Sequence, residues 1–217
     1  MKKKFLISCT LLSAFVLWTI LIRTVDVQPI GPIGSAVGLA TVNRWFHCLT
    51  GVHMGLYHAT DWLSILPLAI VMGFALKGLV QWIQRKSILR VDHDILALGG
   101  FYAAVMAAFL FFEICIINYL PVLIDGILEA SYPSSTTMLV LCVMLTARMQ
   151  VRWNISNPVF RRILSTAIGC FTVFMVVARA VSGVHWLTDI LGGALLSAGL
   201  VMLYRAVCNL KEIQPCE

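Results

Sequence analysis

The sequence predicts an all-α membrane protein, a bundle of six transmembrane helices with a short interfacial helix in the first outer loop. Of the 217 residues, 60% are hydrophobic and only 12% are charged, whereas soluble proteins carry roughly 25% charged residues. The apolar residues form runs close to the roughly 20 residues that a helix needs to cross a bilayer. The basic residues fall between those runs. The chain 1–217 is therefore expected to form a single membrane domain.

Six apolar runs follow one another along the chain. The first follows Lys2–Lys4 and has no small-residue cleavage site after it, which favours an uncleaved helix over a signal peptide. The predicted spans are Phe5–Ile22, Trp62–Trp82, Ile95–Ile117, Ser134–Ala147, Ile163–Val181 and Leu187–Val207. The fourth is the shortest. Within the first outer segment, Val37–Leu49 predicts a short helix that lies in the membrane interface.

The placement of basic residues predicts the topology. Segments on one side of the predicted membrane hold most of them: Lys2, Lys3, Lys4, Arg85, Lys86, Arg90, Arg148, Arg152, Arg161, Arg162, Arg205 and Lys211. The other side holds only Arg23, Arg44 and Arg179. Cytoplasmic loops carry an excess of Lys and Arg, so both termini are predicted to be cytoplasmic in an inner (plasma) membrane. Because the positive charges are dispersed among loops, the net charge of +6 does not indicate a nucleic-acid partner.

Three ionisable residues fall together at the outer ends of the last two spans. His185 and Asp189 are four residues apart, so they share one helix face. The carboxylate can fix the tautomer of the imidazole and leave the other ring nitrogen free as a nucleophile or base. Arg179 precedes a break at Ser182–Gly183 and can bind phosphate oxygens through its planar guanidinium. On spacing alone, an arginine–aspartate pair that joins two helices, with His185 at the lipid headgroups, is an equally good interpretation.

A hydroxyl-rich segment opens the fourth predicted span. Pro133 suits the first turn of a helix, and the free N–H groups of a helix start attract anions. Ser134, Ser135 and Thr136 are therefore candidate phosphate-binding residues. The simpler alternative is an ordinary helix start rich in hydroxyl groups.

The two segments together resemble the type 2 phosphatidic acid phosphatase family, the membrane branch of a superfamily shared with vanadium haloperoxidases. The third family motif, S-R-x5-H-x3-D, is matched by Arg179, His185 and Asp189, with Ala178 in place of the serine. The resemblance covers about residues 95–207. It implies a six-span fold and a lipid phosphatase.

The other two motifs are degraded. In the second, P-S-G-H, Ser135 stands at the glycine and Thr136 at the histidine. The first, K-x6-R-P, aligns so that Glu113 stands at the lysine and Leu120 at the arginine, and only Pro121 is kept. At these motif positions the chain thus lacks the residue types that the family uses as its general acid and as two of its phosphate ligands.

The resemblance implies roles for the matched residues. His185 would attack phosphorus and form a phosphohistidine, Asp189 would orient it, and Arg179 would hold phosphate oxygens. The expected substrate is a lipid phosphate or diphosphate, of the polyprenyl diphosphate or phosphatidate class, bound at the extracytoplasmic face. No metal or cofactor is expected, because side chains supply both the nucleophile and the phosphate ligands.

A second hypothesis follows from the replaced positions Glu113, Leu120 and Thr136. It describes a catalytically impaired relative that binds or moves a lipid headgroup, or that scaffolds partners. Another is that Leu120 or Thr136 is an introduced substitution in an active parent. The sequence leaves the oligomeric state open. A transporter is less favoured, because the buried charges cluster at one face instead of lining a path at the membrane midplane.

Overall fold

Residues 2–208, the part of the chain that the computed structural model describes, form α-helices joined by loops, two short 3-10 turns and three isolated β-bridges. The α-helices are α1 (Lys2–Thr24), α2 (Ala40–Thr50), α3 (Met54–Leu63), α4 (Ile65–Arg85), α5 (His93–Ile114), α6 (Ser135–Asn154), α7 (Pro158–Val181) and α8 (Leu187–Cys208). The predicted all-α class is confirmed. Met1 and residues 209–217, which include Lys211, lie outside the described residues.

Most of the long helices are built to cross a membrane. Within residues 2–208, five helical segments are long and apolar enough to do so: α1, α3 with α4, α5, α7 and α8. Their outer faces carry exposed apolar side chains, such as Leu68, Met72 and Leu76 on α4. A contiguous apolar surface of this size needs an apolar surrounding. The protein is therefore an integral membrane protein.

Helix α6 differs from the other long helices because its polar residues are buried. It continues past the predicted end at Ala147 to Asn154. The hydroxyls of Thr146 and Tyr102 on α5 lie 3.1 Å apart, and Gln150 Nε2 donates to the Tyr204 hydroxyl on α8 at 2.9 Å. These buried polar groups are satisfied between helices, as an apolar environment requires. The neighbouring helices thus shield α6, which is why it is the least apolar of the six.

Small residues on α8 allow close packing against neighbouring side chains. A Cβ at Gly192 would lie 2.4 Å from the Tyr132 ring, and one at Gly199 would lie 2.7 Å from the Leu12 side chain. Helix α1 runs antiparallel to α8, with Ser8 Oγ donating to the Gly199 carbonyl at 2.8 Å. The beginning of α1 and the end of α8 therefore lie at one end of the bundle.

The segment between α1 and α4 contains two helices instead of the one predicted. The predicted interfacial helix Val37–Leu49 corresponds to α2, whose exposed Val42, Trp45 and Leu49 follow helical spacing. Helix α3 was not predicted, because most of its residues precede the apolar run and form too few turns to give a clear periodic pattern. This helix is the one that reaches the candidate site.

Candidate active site

The bend between α7 and α8 brings Arg179 and His185 to the same end of the bundle. Gly183 has a φ of +66°, and a Cβ there would lie 1.7 Å from the Gly51 carbonyl oxygen. Only glycine fits both the backbone angle and the close approach. The Ser182 hydroxyl donates to the Arg179 carbonyl at 2.7 Å, and the His53 N–H donates to the Ser182 carbonyl at 2.8 Å. The bend is therefore tight and covered by the α2–α3 connection.

His185 and Asp189 face each other in a buried setting. His185 Nδ1 lies 3.9 Å from Asp189 Oδ2, which is too long for a hydrogen bond. Asp189 is held in place by the side chain of Asn118, which donates to Oδ1 at 3.1 Å, and by the Trp186 N–H, which donates to Oδ2 at 3.2 Å. Asn118 was not predicted as a site residue. Only the loop conformation brings it to Asp189, so no local sequence pattern marks it.

The surroundings of His185 keep its imidazole neutral. Burial lowers the pKa of His185 well below its usual range, and the positive charge of Arg179 lowers it further. The nearby Ser131 backbone opposes this shift but does not reverse it. His185 Nδ1 is buried and has no hydrogen-bond partner among the described residues. A neutral ring keeps the lone pair that a nucleophile needs.

Arg179 is bound by α3. Its Nη1 donates to Asp61 Oδ1 at 2.8 Å and to Thr60 Oγ1 at 3.1 Å, and its guanidinium carbon lies 4.3 Å from the centre of the Tyr57 ring. Arg179 Nε is buried and has no hydrogen-bond partner in the described part of the chain. The sequence spacing also allowed an arginine–aspartate pair that joins two helices. The structure contains such a pair, but the carboxylate is that of Asp61 on α3.

The hydroxyl-rich segment divides into two parts. Ser134 caps α6, its Oγ accepting from the Thr137 hydroxyl at 3.0 Å and from the Thr137 N–H at 3.4 Å. Its own N–H donates to the Asp189 carbonyl at 3.1 Å. This links the start of α6 to the start of α8. Ser135 and Thr136 instead line a cavity that also reaches Asp61.

That cavity lies between α4, α5 and α6 and has a volume of about 380 Å³. Apolar side chains form most of its wall: Leu68, Val71, Val105, Met106, Phe109 and Leu139. Its polar lining includes Asp61, Ser64, Ser135 and Thr136. Asp61 therefore touches both the cavity and Arg179. An apolar chain in the cavity would bring an attached anionic group close to Arg179.

The two degraded positions of the first motif have different surroundings. Leu120 is 3% exposed and packs in an apolar cluster with Tyr57 and Val184. Leu120 therefore lies beside Tyr57, whose ring stacks on Arg179, and beside Val184, which precedes His185. It adds no charge there. Glu113 is exposed and lines a small recess with Ser131.

Comparison with known proteins identifies the family. A family model described as PAP2 superfamily matches residues 98–211, which is more than half of the chain. The crystal structure of the first transmembrane PAP2 type phosphatidylglycerolphosphate phosphatase from Bacillus subtilis has a TM-score of 0.65 to this chain. The two sequences are 18% identical, and the match covers 97% of this chain and 98% of that one. The comparison with curated proteins gave no significant match. The predicted family is confirmed, and the chain belongs to the PAP2 superfamily.

Proposed function

We propose that this membrane phosphatase-type protein hydrolyses a lipid phosphate or diphosphate through a phosphohistidine at His185. The observation that carries the proposal is the position of the Asp61 carboxylate, on Arg179 and at a cavity with mainly apolar walls. A carboxylate and a phosphate accept from a guanidinium in the same way. A lipid whose tail fills the cavity would replace Asp61 with its phosphate on Arg179.

The chemistry balances in two steps. The Nε2 lone pair of His185 attacks phosphorus, and the bond from phosphorus to the leaving oxygen breaks, its electron pair staying on that oxygen. Water then attacks the phosphohistidine, the phosphorus–nitrogen bond breaks, and its electron pair returns to the ring. One proton of the water ends on the leaving oxygen and the other on the released phosphate. Charge stabilisation dominates such a transfer, and Asp189 would stabilise the ring once it becomes positive.

The residue at the general-acid position shapes the choice of substrate. The family places a histidine where this chain has Thr136, and the loss of a general acid costs about 10²–10⁴-fold. An alkoxide needs a proton to depart, whereas a phosphate monoester leaves well without one. We therefore infer a preference for a lipid diphosphate, such as a polyprenyl diphosphate of the undecaprenyl type, over phosphatidate. The phosphatidylglycerolphosphate named for the Bacillus protein would likewise be a poorer substrate.

The distribution of charge suggests the side of action. The basic residues lie mostly at the end of the bundle opposite His185. The positive-inside rule then places both termini in the cytoplasm and the candidate site at the extracytoplasmic face. Residues 1–217 would act as one membrane domain of the cell envelope.

A second candidate function rests on the same ion pair. With Asp61 on Arg179, and with Leu120 and Glu113 in place of a basic pair, the site has less positive charge than the family pattern. A relative that binds or moves a lipid headgroup without hydrolysis would also have these features. Trapping of a phospho-enzyme separates the two functions.

The test is release of inorganic phosphate by purified protein from a polyprenyl diphosphate, phosphatidate and phosphatidylglycerolphosphate, with acid-stable and acid-labile phospho-protein measured in parallel. The proposal expects phosphate release from the diphosphate above all, and an acid-labile phospho-protein that disappears in His185→Ala. His93→Ala, at the opposite end of the bundle, is the matched control and should keep both signals. Absence of turnover and of phospho-protein with all three lipids would favour the binding function.

A further inference from the structure

A second positively charged side chain lies partly buried between α6 and α7, away from the candidate site. Arg148 is on α6, about 20 Å along the helix axis from Ser135 at a rise of 1.5 Å per residue. Its Nη1 would lie 3.8 Å from a Cβ at Gly169, in the middle of α7. Because Gly169 has no side chain, the guanidinium can lie against the backbone of α7.

Arg148 has no ion-pair or side-chain hydrogen-bond partner within residues 2–208. Its Nε is shielded from solvent and makes no hydrogen bond, and none of the ion pairs in residues 2–208 includes Arg148. Arg85 and Arg179, by comparison, each contact a carboxylate. A charge at membrane depth is costly unless it is paired. No carboxylate of residues 2–208 therefore pairs with the Arg148 guanidinium.

The surroundings of Arg148 have space for a lipid chain. Arg148 and Gly169 line a groove of about 730 Å³ along α7, whose other wall residues include Cys170, Val173, Phe174 and Val177. Val173 and Val177 are more than half exposed. The groove is thus open to the hydrocarbon on its side and is apolar except for Arg148 and Thr166.

Further positive charge continues from the groove toward the end opposite His185. Arg152 is four residues after Arg148, and Arg162 is seven residues before Gly169, so both follow the same helix faces. Both are exposed. The three guanidiniums form a basic edge from mid-helix to the membrane boundary, and basic pockets between transmembrane helices are suited to anionic lipid headgroups.

We propose that the α6–α7 groove binds an anionic phospholipid of the leaflet opposite the candidate site. The lipid phosphate lies between Arg148 and Arg152, and an acyl chain follows Gly169, Val173 and Val177. The charge selects an anionic lipid over a zwitterionic one. The site is separate from His185, so the inference does not depend on phosphatase activity.

The test compares phosphatidylglycerol with phosphatidylcholine added to delipidated protein in detergent, with Tm and native mass spectrometry as readouts. We expect phosphatidylglycerol to raise Tm by about 5 °C or more at saturating lipid and to remain bound in the mass spectrum. Arg148→Leu should lose both effects. Arg205→Leu removes a positive charge from the last turn of α8, at the same end of the bundle as Arg152 and Arg162, and should keep both effects. His185→Ala should also keep them.

Three results would overturn the proposal. One is an equal Tm rise with the two lipids. Another is retention of phosphatidylglycerol by a folded Arg148→Leu protein. The third is a cross-link between two copies of the Gly169→Cys variant in lipid bilayers that the wild type, with its native Cys170, does not form, which would show that protein covers the groove. If Arg148→Leu fails to purify, Arg152→Leu with Arg162→Leu replaces it, and unchanged binding in that double variant also contradicts the proposal.

Discussion

Arg179 Nη1 and Asp61 Oδ1 lie 2.8 Å apart and join α7 to α3. The two residues differ in exposure, with 5% of the Arg179 side chain accessible and 42% of that of Asp61. The carboxylate can therefore swing out toward the cavity while the guanidinium stays buried. We interpret Asp61 as the group that a substrate phosphate displaces.

Asp61→Asn should strengthen phosphate binding. Asparagine removes the negative charge that competes for Arg179 but keeps an oxygen that can accept from it, so we expect KM and the inhibition constant of inorganic phosphate to fall about two- to fivefold. The value of kcat should change little. Asp125→Asn, in a loop before the hydroxyl-rich segment, is the matched control. A rise in the inhibition constant would show that Asp61 helps to bind the substrate.

Thr136→His should shift activity toward monophosphate lipids. Thr136 lines the cavity that Asp61 also lines, so an imidazole there could reach a leaving oxygen. Restoring a general acid should raise phosphate release from phosphatidate about 10²-fold or more, with a smaller gain on the diphosphate. The rates of phosphate release from the two lipids are measured for each variant, with Thr136→Asn as the size control. Equal gains on the two lipids would be evidence against a missing acid.

Leu120→Arg should destabilise the protein even though it restores a family residue type. Leu120 is 3% exposed and packs with Tyr57 and Val184, and a buried charge without a partner costs several kcal/mol. We expect a clear fall in Tm that inorganic phosphate partly reverses, because phosphate would pair with the new guanidinium. Leu120→Met, a change of similar volume, should cost less than about 1.5 kcal/mol. No response of Leu120→Arg to phosphate would place this position outside the phosphate site.

The lowered pKa of His185 predicts a pH-dependent stability. Below pH about 6.5 the unfolded chain binds a proton at this histidine while the folded chain does not, so the free energy of unfolding decreases as pH falls. The loss is at most about 1.4 kcal/mol per pH unit. It should appear as a steeper fall in Tm between pH 7 and 5 for the wild type than for His185→Gln. Parallel profiles would show that His185 titrates normally in the folded protein. Phosphate release should show no loss from His185 protonation near pH 6.5.

Gly192→Ala should disturb the site through Tyr132. The new Cβ would lie 2.4 Å from Tyr132 Cε2, and relief of such overpacking costs about 1–3 kcal/mol. The displaced Tyr132 would move the Ser134 cap that joins α6 to α8. Gly73→Ala, where a Cβ on α4 has no neighbour within 4 Å, is the matched control and should leave Tm unchanged or slightly raised. Denaturation curves and phosphate release measure both effects.

The sequence predicts the long helices well because each is a long apolar run with basic flanks. The prediction for α6 ends too early, since its last residues are polar and are shielded by tertiary packing that no window of sequence contains. Sequence spacing points to candidate-site residues only where they are close along the chain, as for Arg179, His185 and Asp189. Asn118, Thr60 and Asp61 reach these residues through loops and the short helix α3. Their contacts depend on the tertiary fold, which brings these segments next to the bend between α7 and α8.

The α2–α3 connection, which covers the bend at Gly183, lies outside the part of the chain that the family model matches. The family match begins at residue 98, yet Gly51 and His53 lie on the bend before His185, and α3 holds Arg179. Divergence among relatives in this unmatched portion would alter the surroundings of Arg179 and His185 while leaving every motif residue intact. Searches that score signatures alone would group together proteins whose catalytic behaviour has already separated.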